Sequence, residues 1–392
     1  MRLFSVKLAS ILLFILAANS QVAAQVETKI IDTGAGLATV TRFPDGGIMV
    51  YDTGHWNHDA STFRAFQEFI GESEIDLLIA SHSDGDHIAA TDELFNEYRV
   101  NRVIRTGYAR TTDAWEEHND AIVKAARRGL THDINYAEVN LPHGTIYSFG
   151  EATVTVLSGF HEPPAAWGLR GSEFRNGNSV VVRVSYKGKA ILFTGDAVGR
   201  EEKSSPDAPA IATERYLIDN NTGSRSIESD VMLVPHHGSD DAASKEFIRA
   251  VGARWAIFSA GHAHRHPKRV TAQRFTDLGY EPKCLLRTDL GDNEGGKEWS
   301  EGSTPGSDPV GDDPIEVTLP ETGDVVVRYE GRATIDCAEV DMPEGTSAPT
   351  IVKKSRSGIC HTPESRWYDK TKNFEKFQNV ESCVASGGRR VR

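Results

Sequence analysis

The chain has 392 residues, 39% of them apolar, and a formal net charge of −13. That length can bury one large core or two moderate ones and still carry a small appendage, and the negative charge excludes a protein whose whole surface is coated with nucleic acid. The charge is uneven, because residues 351–392 hold ten Lys or Arg against four Asp or Glu, a local charge of +6 behind a body that sums to −19.

Residues 1–24 are typical of a signal peptide. A short basic start with Arg2 and Lys7 precedes an apolar core over residues 8–18, and Val22 and Ala24 suit signal peptidase. The apolar core is too short to span a bilayer comfortably, and we see no other apolar run of about 18 or more residues. We therefore expect an exported protein, periplasmic or extracellular, with no integral membrane segment in its mature chain.

The next elements indicate an α/β domain over residues 26–340. A hairpin pattern covers residues 38–52 around a Pro-Asp-Gly-Gly turn, and a helix at 61–70 leads to a buried strand at 77–80. Further elements follow in chain order, with strands at 153–157, 179–185, 190–194, 231–234 and 255–259 and helices at 243–251 and 267–278. The last three strands run into acid or imidazole at their carboxyl ends, where open α/β sheets place their sites.

The amino-acid composition of residues 291–392 indicates an insertion, a linker and a C-terminal module. Residues 291–313 are rich in Gly, Ser, Pro and acid and predict a flexible insertion. A hairpin-like stretch then resumes the domain, a loose linker covers 341–350, and a basic module covers 351–392. The four cysteines agree with an oxidising compartment. They allow three pairings, and we favour Cys284 with Cys337 and Cys360 with Cys383 because each pair then lies within one proposed unit.

Residues 82–87, His-Ser-Asp-Gly-Asp-His, place four potential metal ligands in six positions directly after a buried strand. The alternative is an ordinary polar turn. We prefer a metal site, because these side chains would repel one another or sit solvated unless a cation held them. The nitrogen and oxygen donor set suits Zn²⁺ or Mn²⁺.

The motif resembles the second motif of the metallo-β-lactamase superfamily, usually HxHxDH, with Asp84 where the second His usually stands. The variant HxDxDH is similar to the DNA-internalisation competence proteins of the ComEC type. Other segments follow in that subfamily's order over about residues 30–335: "YDTG" with Asp52, "NGNSVVVRV" with Asn178 and Ser179, "LFTGDA" with Asp196, "PHHGS" with His236 and His237, "GHAHRHP" with His266, and "RTDLG" with Asp289.

The resemblance implies an αββα sandwich that holds two divalent metal ions, Zn²⁺ or Mn²⁺, along one edge. His82 and Asp84 would bind one ion, Asp86 and His87 the other, and Asp196 would bridge them. One of His236, His237 and His266 would complete the set, and only one of the adjacent pair is expected to reach the metals because consecutive residues diverge. The predicted metal ligands are thus His82, Asp84, Asp86, His87, Asp196, His236 and His266, and the predicted catalytic residues are Asp86, His237 and His266.

Two alternative roles remain open for several nearby side chains. Asp52 either orients the metal loop from behind or acts directly. His55 and His58 either line the substrate cleft or lie at the surface, and Asn178 and Ser179 either act in the site or pin the backbone. Asp84 in place of His makes one pocket more anionic, which favours Mn²⁺ without excluding Zn²⁺.

The basic module resembles a short cysteine-containing module found at the C-termini of exported or phage nucleases. A Cys360–Cys383 disulfide would staple so small a domain, although Cys360 and His361 could instead seed a zinc site. A disordered tail seldom carries as many aromatics as Trp367, Tyr368, Phe374 and Phe377. Basic groups among aromatics suit phosphates and bases, so we expect the module to bind DNA rather than to be a solvated tail.

These features predict an exported, metal-dependent hydrolase. The favoured activity is that of a phosphodiesterase or nuclease that cleaves extracytoplasmic DNA through a metal-bound hydroxide. One alternative is hydrolysis of a lactone, a lactam or a phosphocholine ester, since fold and metals do not fix the substrate. The other is a non-catalytic protein that binds DNA or the envelope. The oligomeric state does not follow from the sequence.

Overall fold

The structure is a computed structural model that describes residues 24–261, 264–290, 299, 313–340, 352–361, 367–368, 370–377, 383–384 and 386–390. The predicted signal peptide (apart from residue 24), the linker, and the 291–313 stretch (apart from Trp299 and Asp313) lie outside these residues. Trp299 is buried against the core. Within the described ranges, no helix is long and apolar enough to cross a membrane. The proposed domain bounds stay predictions.

Strands and helices alternate along the main domain. The strands are β1 (Gln25–Ile30), β2 (Ala38–Arg42), β3 (Ile48–Thr53), β4 (Leu77–Ala80), β5 (Arg102–Arg105), β6 (His132–Asn135), β7 (Ile146–Phe149), β8 (Ala152–Ser158), β9 (Val181–Tyr186), β10 (Lys189–Phe193), β11 (Val231–Leu233), β12 (Trp255–Phe258), β13 (Leu285–Arg287), β14 (Ile315–Pro320) and β15 (Val326–Tyr329). The helices are α1 (Asp59–Ile70), α2 (Gly85–Ile88), α3 (Thr91–Glu97), α4 (Asp113–Arg127), α5 (Gly171–Asn176), α6 (Ala212–Asp219), α7 (Lys245–Val251) and α8 (Arg269–Thr276).

The strands form two sheets. The first has the order β15-β14-β1-β2-β3-β4-β5-β6, and the second has the order β13-β12-β11-β10-β9-β8-β7. Strands β3 to β6 run parallel in the first sheet, and strands β10 to β13 run parallel in the second. Within each parallel run, the carboxyl ends of the strands therefore lie along one edge.

Side-chain alternation along the strands produces four layers. In β4, Leu77 and Ile79 enter the core between the sheets, whereas Leu78 packs under the outer helices of the first sheet. In β11, Met232 packs on Phe247 of α7 at the outer face of the second sheet. Each buried side chain of this size contributes about 2 kcal/mol. The order helix, sheet, sheet, helix confirms the predicted αββα sandwich.

Both predicted disulfides are present. Cys284 and Cys337 are bonded and buried beside the inter-sheet core. Cys360 and Cys383 are bonded and buried with Val352 in a small separate cluster. The second bond removes the alternative that Cys360 binds zinc as a thiolate.

The C-terminal module is a small sheet. Its strands are β16 (Val352–Ser355), β17 (Ile359–His361), β18 (Phe374–Phe377) and β19 (Arg389–Arg390), in the order β18-β16-β17-β19. The Cys360–Cys383 disulfide crosses its buried side, which confirms a disulfide-stapled module rather than a solvated tail.

A buried carboxyl group in α6 holds the loop that follows β11. Glu214 accepts hydrogen bonds from the backbone N–H groups of Ala243 (2.6 Å) and Ser244 (3.0 Å). The absence of a side chain at Gly199 is required, because a Cβ there would lie 1.9 Å from the Glu214 carboxyl carbon. Burial raises the pKa of Glu214 to about 7.

The raised pKa of Glu214 predicts a pH-dependent stability. Between its unfolded pKa of 4.5 and its folded pKa of about 7, the folded protein keeps a proton that the unfolded chain releases. The free energy of unfolding should therefore fall by about 2 to 3 kcal/mol from pH 5 to pH 8 relative to a Glu214→Gln variant. Urea unfolding of both proteins across this range measures the difference. Parallel curves would contradict the assignment.

Candidate metal centre

Loops from both sheets meet at one edge of the sandwich. Asp52 lies at the end of β3, residues 81–87 follow β4, Asp196 follows β10, and residues 235–238 follow β11. These loops border a cavity of about 780 Å³. The edge is the one expected for a site in parallel sheets.

Three buried side chains converge most closely. His87 Nε2 lies 3.1 Å from His237 Nε2, and Asp196 Oδ1 lies 3.2 Å from the first and 3.5 Å from the second. The other nitrogen of each ring is already engaged, since His87 Nδ1 donates to Asp52 (2.7 Å) and His237 Nδ1 donates to the carbonyl of Ser259 (2.6 Å). In the neutral form of each ring, Nε2 is thus left with a lone pair that faces a carboxylate oxygen.

His82 is held near the same carboxylate by hydrogen bonds through Ser81 to Asp52. Ser81 Oγ donates to Asp52 Oδ2 (2.7 Å) and therefore accepts from His82 Nδ1 (3.0 Å). His82 Nε2 then carries a lone pair and lies 3.6 Å from Asp196 Oδ2. Among the described residues, neither His82 Nε2 nor Asp196 Oδ1 has a hydrogen-bond partner. Asp52 orients two rings at once, which supports the orienting alternative for this residue.

His236 reaches the same carboxylate. Its Nε2 lies 3.7 Å from Asp196 Oδ2, and its Nδ1 donates to the buried Asp241 (2.7 Å). The expectation that only one of the adjacent histidines reaches the site assumed an ordinary backbone. His236 and His237 instead have φ angles of 50° and 53°, in the left-handed region, and this turn brings both rings toward Asp196.

The electrostatics of the centre follow from this crowding. Burial opposes ionisation of Asp196, but the imidazoles around it, His87 foremost, lower its pKa well below the usual value. Burial likewise opposes the charged form of His87, yet Asp196 and Asp52 raise the pKa of this ring well above the usual value. A proton and a divalent cation therefore compete for the same lone pairs.

Two sets of side chains have the spacing to hold an ion. One is His82, His87 and Asp196, and the other is Asp86, His87 and His237. In each set the potential ligand atoms lie within 4.8 Å of one another. Facing lone pairs that no donor separates fit a divalent cation, and the nitrogen and oxygen donors fit Zn²⁺ or Mn²⁺. His237, predicted as catalytic, lies where a ligand would.

Asp84 is not in either set. Its carboxylate accepts from Arg175 Nε (2.7 Å) and Nη2 (3.1 Å) and also pairs with Arg110. These cations lower the pKa of Asp84 together with His82, against the effect of burial. The ligand role predicted for Asp84 from the motif stays a prediction, and two arginines far along the chain pair with this carboxylate.

The remaining predicted residues lie around the cavity. Asp86 lines it, with Oδ2 3.8 Å from His237 Nε2. His266 also lines it, outside both sets, with its ring nearly parallel to that of His237 at 6.0 Å between centroids. Ser179 pins the backbone, since its Oγ accepts from the N–H of Asp196 (3.0 Å). Which of these side chains bind metal or move protons stays a prediction.

Sequence reasoning missed Asp241 and Ser259. Asp241 lies five residues after His236. The two acids that directly follow "PHHGS", Asp240 and Asp241, could have indicated a carboxylate partner for a histidine of this motif. Ser259 acts through its carbonyl oxygen, which the sequence does not reveal. His55 is buried and stacks on Trp56, with 3.8 Å between ring centroids, so the cavity wall at this point is the tryptophan.

Comparison with known proteins identifies the family. The family model "Metallo-beta-lactamase superfamily" matches residues 31–262. The chain belongs to the metallo-beta-lactamase superfamily. The superfamily consists generally of metal-dependent hydrolases that use divalent metals, and the resemblance drawn from the motifs is confirmed.

The curated relatives of this superfamily member include competence proteins. ComE operon protein 3 of Bacillus subtilis (strain 168) is 25% identical over 282 residues, which cover 67% of this chain and 32% of the relative. Competence protein ComA of Neisseria gonorrhoeae is 34% identical over 128 residues, 31% of this chain and 16% of the relative. The chain thus spans about a third or less of the length of these relatives.

Solved structures of the superfamily also match. A metallo-beta-lactamase from Hirschia baltica has 15% identity and a TM-score of 0.32 over 58% of this chain and 91% of its own. MEM-A1, a subclass B3 metallo-beta-lactamase isolated from a soil metagenome library, has 14% identity and a TM-score of 0.30 over 57% of this chain and 79% of its own.

Asp241 should tune metal affinity through His236. An Asp241→Ala variant loses the acceptor that fixes the ring, and removal of such a partner weakens metal binding by about 10- to 100-fold. Calorimetric titration of Mn²⁺ and Zn²⁺ into chelator-treated protein measures this loss. Asp219→Asn, a change at an exposed acid of α6, is the matched control. Equal affinities for the Asp241→Ala variant and the wild type would contradict this role of Asp241.

Proposed function

We propose that the protein is an exported, metal-dependent phosphodiesterase that cleaves extracytoplasmic DNA. The proposal rests chiefly on one observation: the imidazoles of His82, His87 and His237 surround the Asp196 carboxylate, which lines the cavity together with His237. Relationship to competence proteins supports DNA as the substrate. Two disulfides support export, because such bonds persist in oxidising compartments.

Divalent ions held in this centre would lower the pKa of a bound water and offset charge on the phosphate oxygens. In this proposal the ligands come from His82, His87, His236 and His237 with Asp86 and Asp196. Asp52, Asp241 and the carbonyl of Ser259 fix these rings with each Nε2 toward Asp196.

Two side chains near the ligand sets support a proposal for proton transfer. His266 lies outside both ligand sets but beside His237 at the cavity wall. Asp86 lines the same cavity. We assign proton transfer to these residues, since a positioned imidazole or carboxylate contributes about 10²- to 10⁴-fold to such a reaction.

The C-terminal module offers a surface for the strand. Lys353 Nζ lies 3.9 Å from the ring centroid of Tyr368 and 4.8 Å from that of Phe374. Lys370 Nζ lies 4.9 Å from the ring centroid of Trp367, which is 45% exposed. Cations interleaved with aromatic faces suit a phosphate backbone and stacked bases.

A second candidate is hydrolysis of an ester with a cationic head group, such as a phosphocholine ester. The observation that favours it is the acidic lining contributed by α1, α3 and α4, which consists of Asp59, Asp92, Glu93, Asp113 and Glu117. These carboxylates would attract a quaternary ammonium group and repel a phosphate. Hydrolysis of p-nitrophenyl phosphorylcholine without cleavage of DNA would favour this function.

Plasmid degradation tests the nuclease. The mature protein should cleave plasmid DNA with Mn²⁺ or Zn²⁺ and lose the activity in EDTA. Asp196→Ala should lower the rate by at least about 10³-fold, because the central carboxylate of the ligand set is lost. Gel analysis with Asp219→Asn as the control measures this. Undiminished cleavage by Asp196→Ala would rule out this centre, and binding of DNA without any cleavage would favour a scaffold.

The module should contribute affinity rather than chemistry. A Trp367→Ala/Lys370→Gln variant should bind DNA about tenfold more weakly, since one stacked base is worth about 1–3 kcal/mol. Its hydrolysis of the small substrate bis-p-nitrophenyl phosphate should match that of the wild type. Fluorescence anisotropy at two salt concentrations measures the binding. Val384→Ala, at an exposed position of the same module, is the control, and unchanged affinity in the double variant would contradict a role in capture.

A further inference from the structure

Trp56 lines the cavity without belonging to the metal centre. Its side chain is 50% exposed, although it is the largest apolar side chain type. One part of the indole stacks on His55, with 3.8 Å between centroids and 26° between planes. It also packs against Gly85, where an added Cβ would lie 3.2 Å from the ring. The indole is therefore fixed against the 82–87 loop, and its exposed part faces the cavity.

Arg110 is the only Lys or Arg among the described residues that line this cavity. It forms an ion pair with Asp84, which Arg175 also holds in a bidentate pair. Two guanidinium groups share one carboxylate, so the cluster carries an excess positive charge. The Arg110 side chain is 23% exposed. Its single hydrogen bond within the described part of the chain goes to Asp84, and a guanidinium has five N–H donors, so donors remain for an anion.

The rest of the cavity wall restricts where an anion can bind. The helices α1, α3 and α4 contribute carboxylates that repel a phosphate. An anionic group is therefore attracted beside Arg110 and at the metal centre, but not along the helical wall. A flat aromatic surface and a single cation at the same cavity match a ligand that joins a planar ring to a phosphate.

We infer that Trp56 and Arg110 form a subsite for one nucleotide of a single strand, next to the phosphodiester that is cleaved. The base stacks on Trp56, and the neighbouring phosphate binds Arg110. The inference rests on the proposed function and adds a strand preference to it, because a base in a duplex is already stacked and paired and reaches a side chain only after it leaves the stack. DNA and RNA share this chemistry.

Binding of a slowly cleaved ligand tests the subsite separately from catalysis. The Mn²⁺-loaded protein is titrated with phosphorothioate-linked trinucleotides of thymidine and of uridine, and with an abasic trinucleotide. The variants are Trp56→Leu, Trp56→Tyr and Arg110→Gln, each also made with Trp367→Ala/Lys370→Gln so that the module does not mask the cavity. Arg99→Gln, at an exposed arginine paired with Glu74, is the matched control.

The expected pattern separates stacking from charge. Trp56→Leu should weaken binding of the base-bearing ligands about tenfold and leave the abasic ligand unaffected, whereas Trp56→Tyr should keep most of the affinity. Arg110→Gln should weaken all three ligands about tenfold. Equal losses for thymidine and uridine support the subsite as stated, and a loss confined to one of them also shows that the subsite distinguishes the two nucleosides.

The subsite and the nuclease can fail independently. If the wild type cleaves plasmid but the Trp56 and Arg110 variants bind as tightly as Arg99→Gln, the subsite is wrong and the nuclease stands. If the variants bind more weakly but the wild type cleaves no DNA, the subsite stands and the nuclease is wrong. Equal binding of the abasic and base-bearing ligands by the wild type also overturns the subsite.

Discussion

The site depends on one electrostatic arrangement, a buried carboxylate with imidazole lone pairs turned toward it. His87 Nε2 and His237 Nε2 lie 3.1 Å apart, with Asp196 Oδ1 within 3.5 Å of both. Buried acceptors without donors are unfavourable by several kcal/mol, so the fold must hold them together against their own repulsion. A proton on His87 offsets part of this repulsion, and a divalent cation offsets more of it.

The two sheets provide the rigidity that this arrangement needs. Each imidazole near Asp196 has its far nitrogen fixed, with Asp52, Ser81, Ser259 and Asp241 as the acceptors. Positive φ angles at Asp52, His236 and His237 are strained by about 1–3 kcal/mol each. Such strain persists only where packed strands on both sides leave the loops no alternative, and the site lies where four strand ends from the two sheets meet.

Much of the fold and of the centre could be predicted from the sequence. Alternating apolar residues predicted β2 and β3, a continuous apolar run predicted β4, and the HxDxDH motif marked the loop at His82 and His87. Strands β5 and β6 and helix α4 were not predicted, since β5 and β6 are four residues long and lack clear alternation. The ion pairs of Asp84 with Arg110 and Arg175 could not be predicted from the sequence either, because the two arginines lie 26 and 91 positions away along the chain.

The same ion pairs bear on how a polyanion could use the cavity. The body of the chain is strongly acidic and the module is basic. Under the proposed function, attraction for DNA would therefore concentrate on the module at physiological ionic strength, where charges farther apart than about 8 Å are largely screened. Capture by the module would therefore raise the local concentration of the strand without drawing it over the acidic helices. Within the cavity, the Asp84 carboxylate pairs with two guanidinium groups, those of Arg110 and Arg175. One positive charge in excess therefore remains beside the site, and under the proposed function this charge would attract a phosphate into a cavity whose helical wall is otherwise acidic.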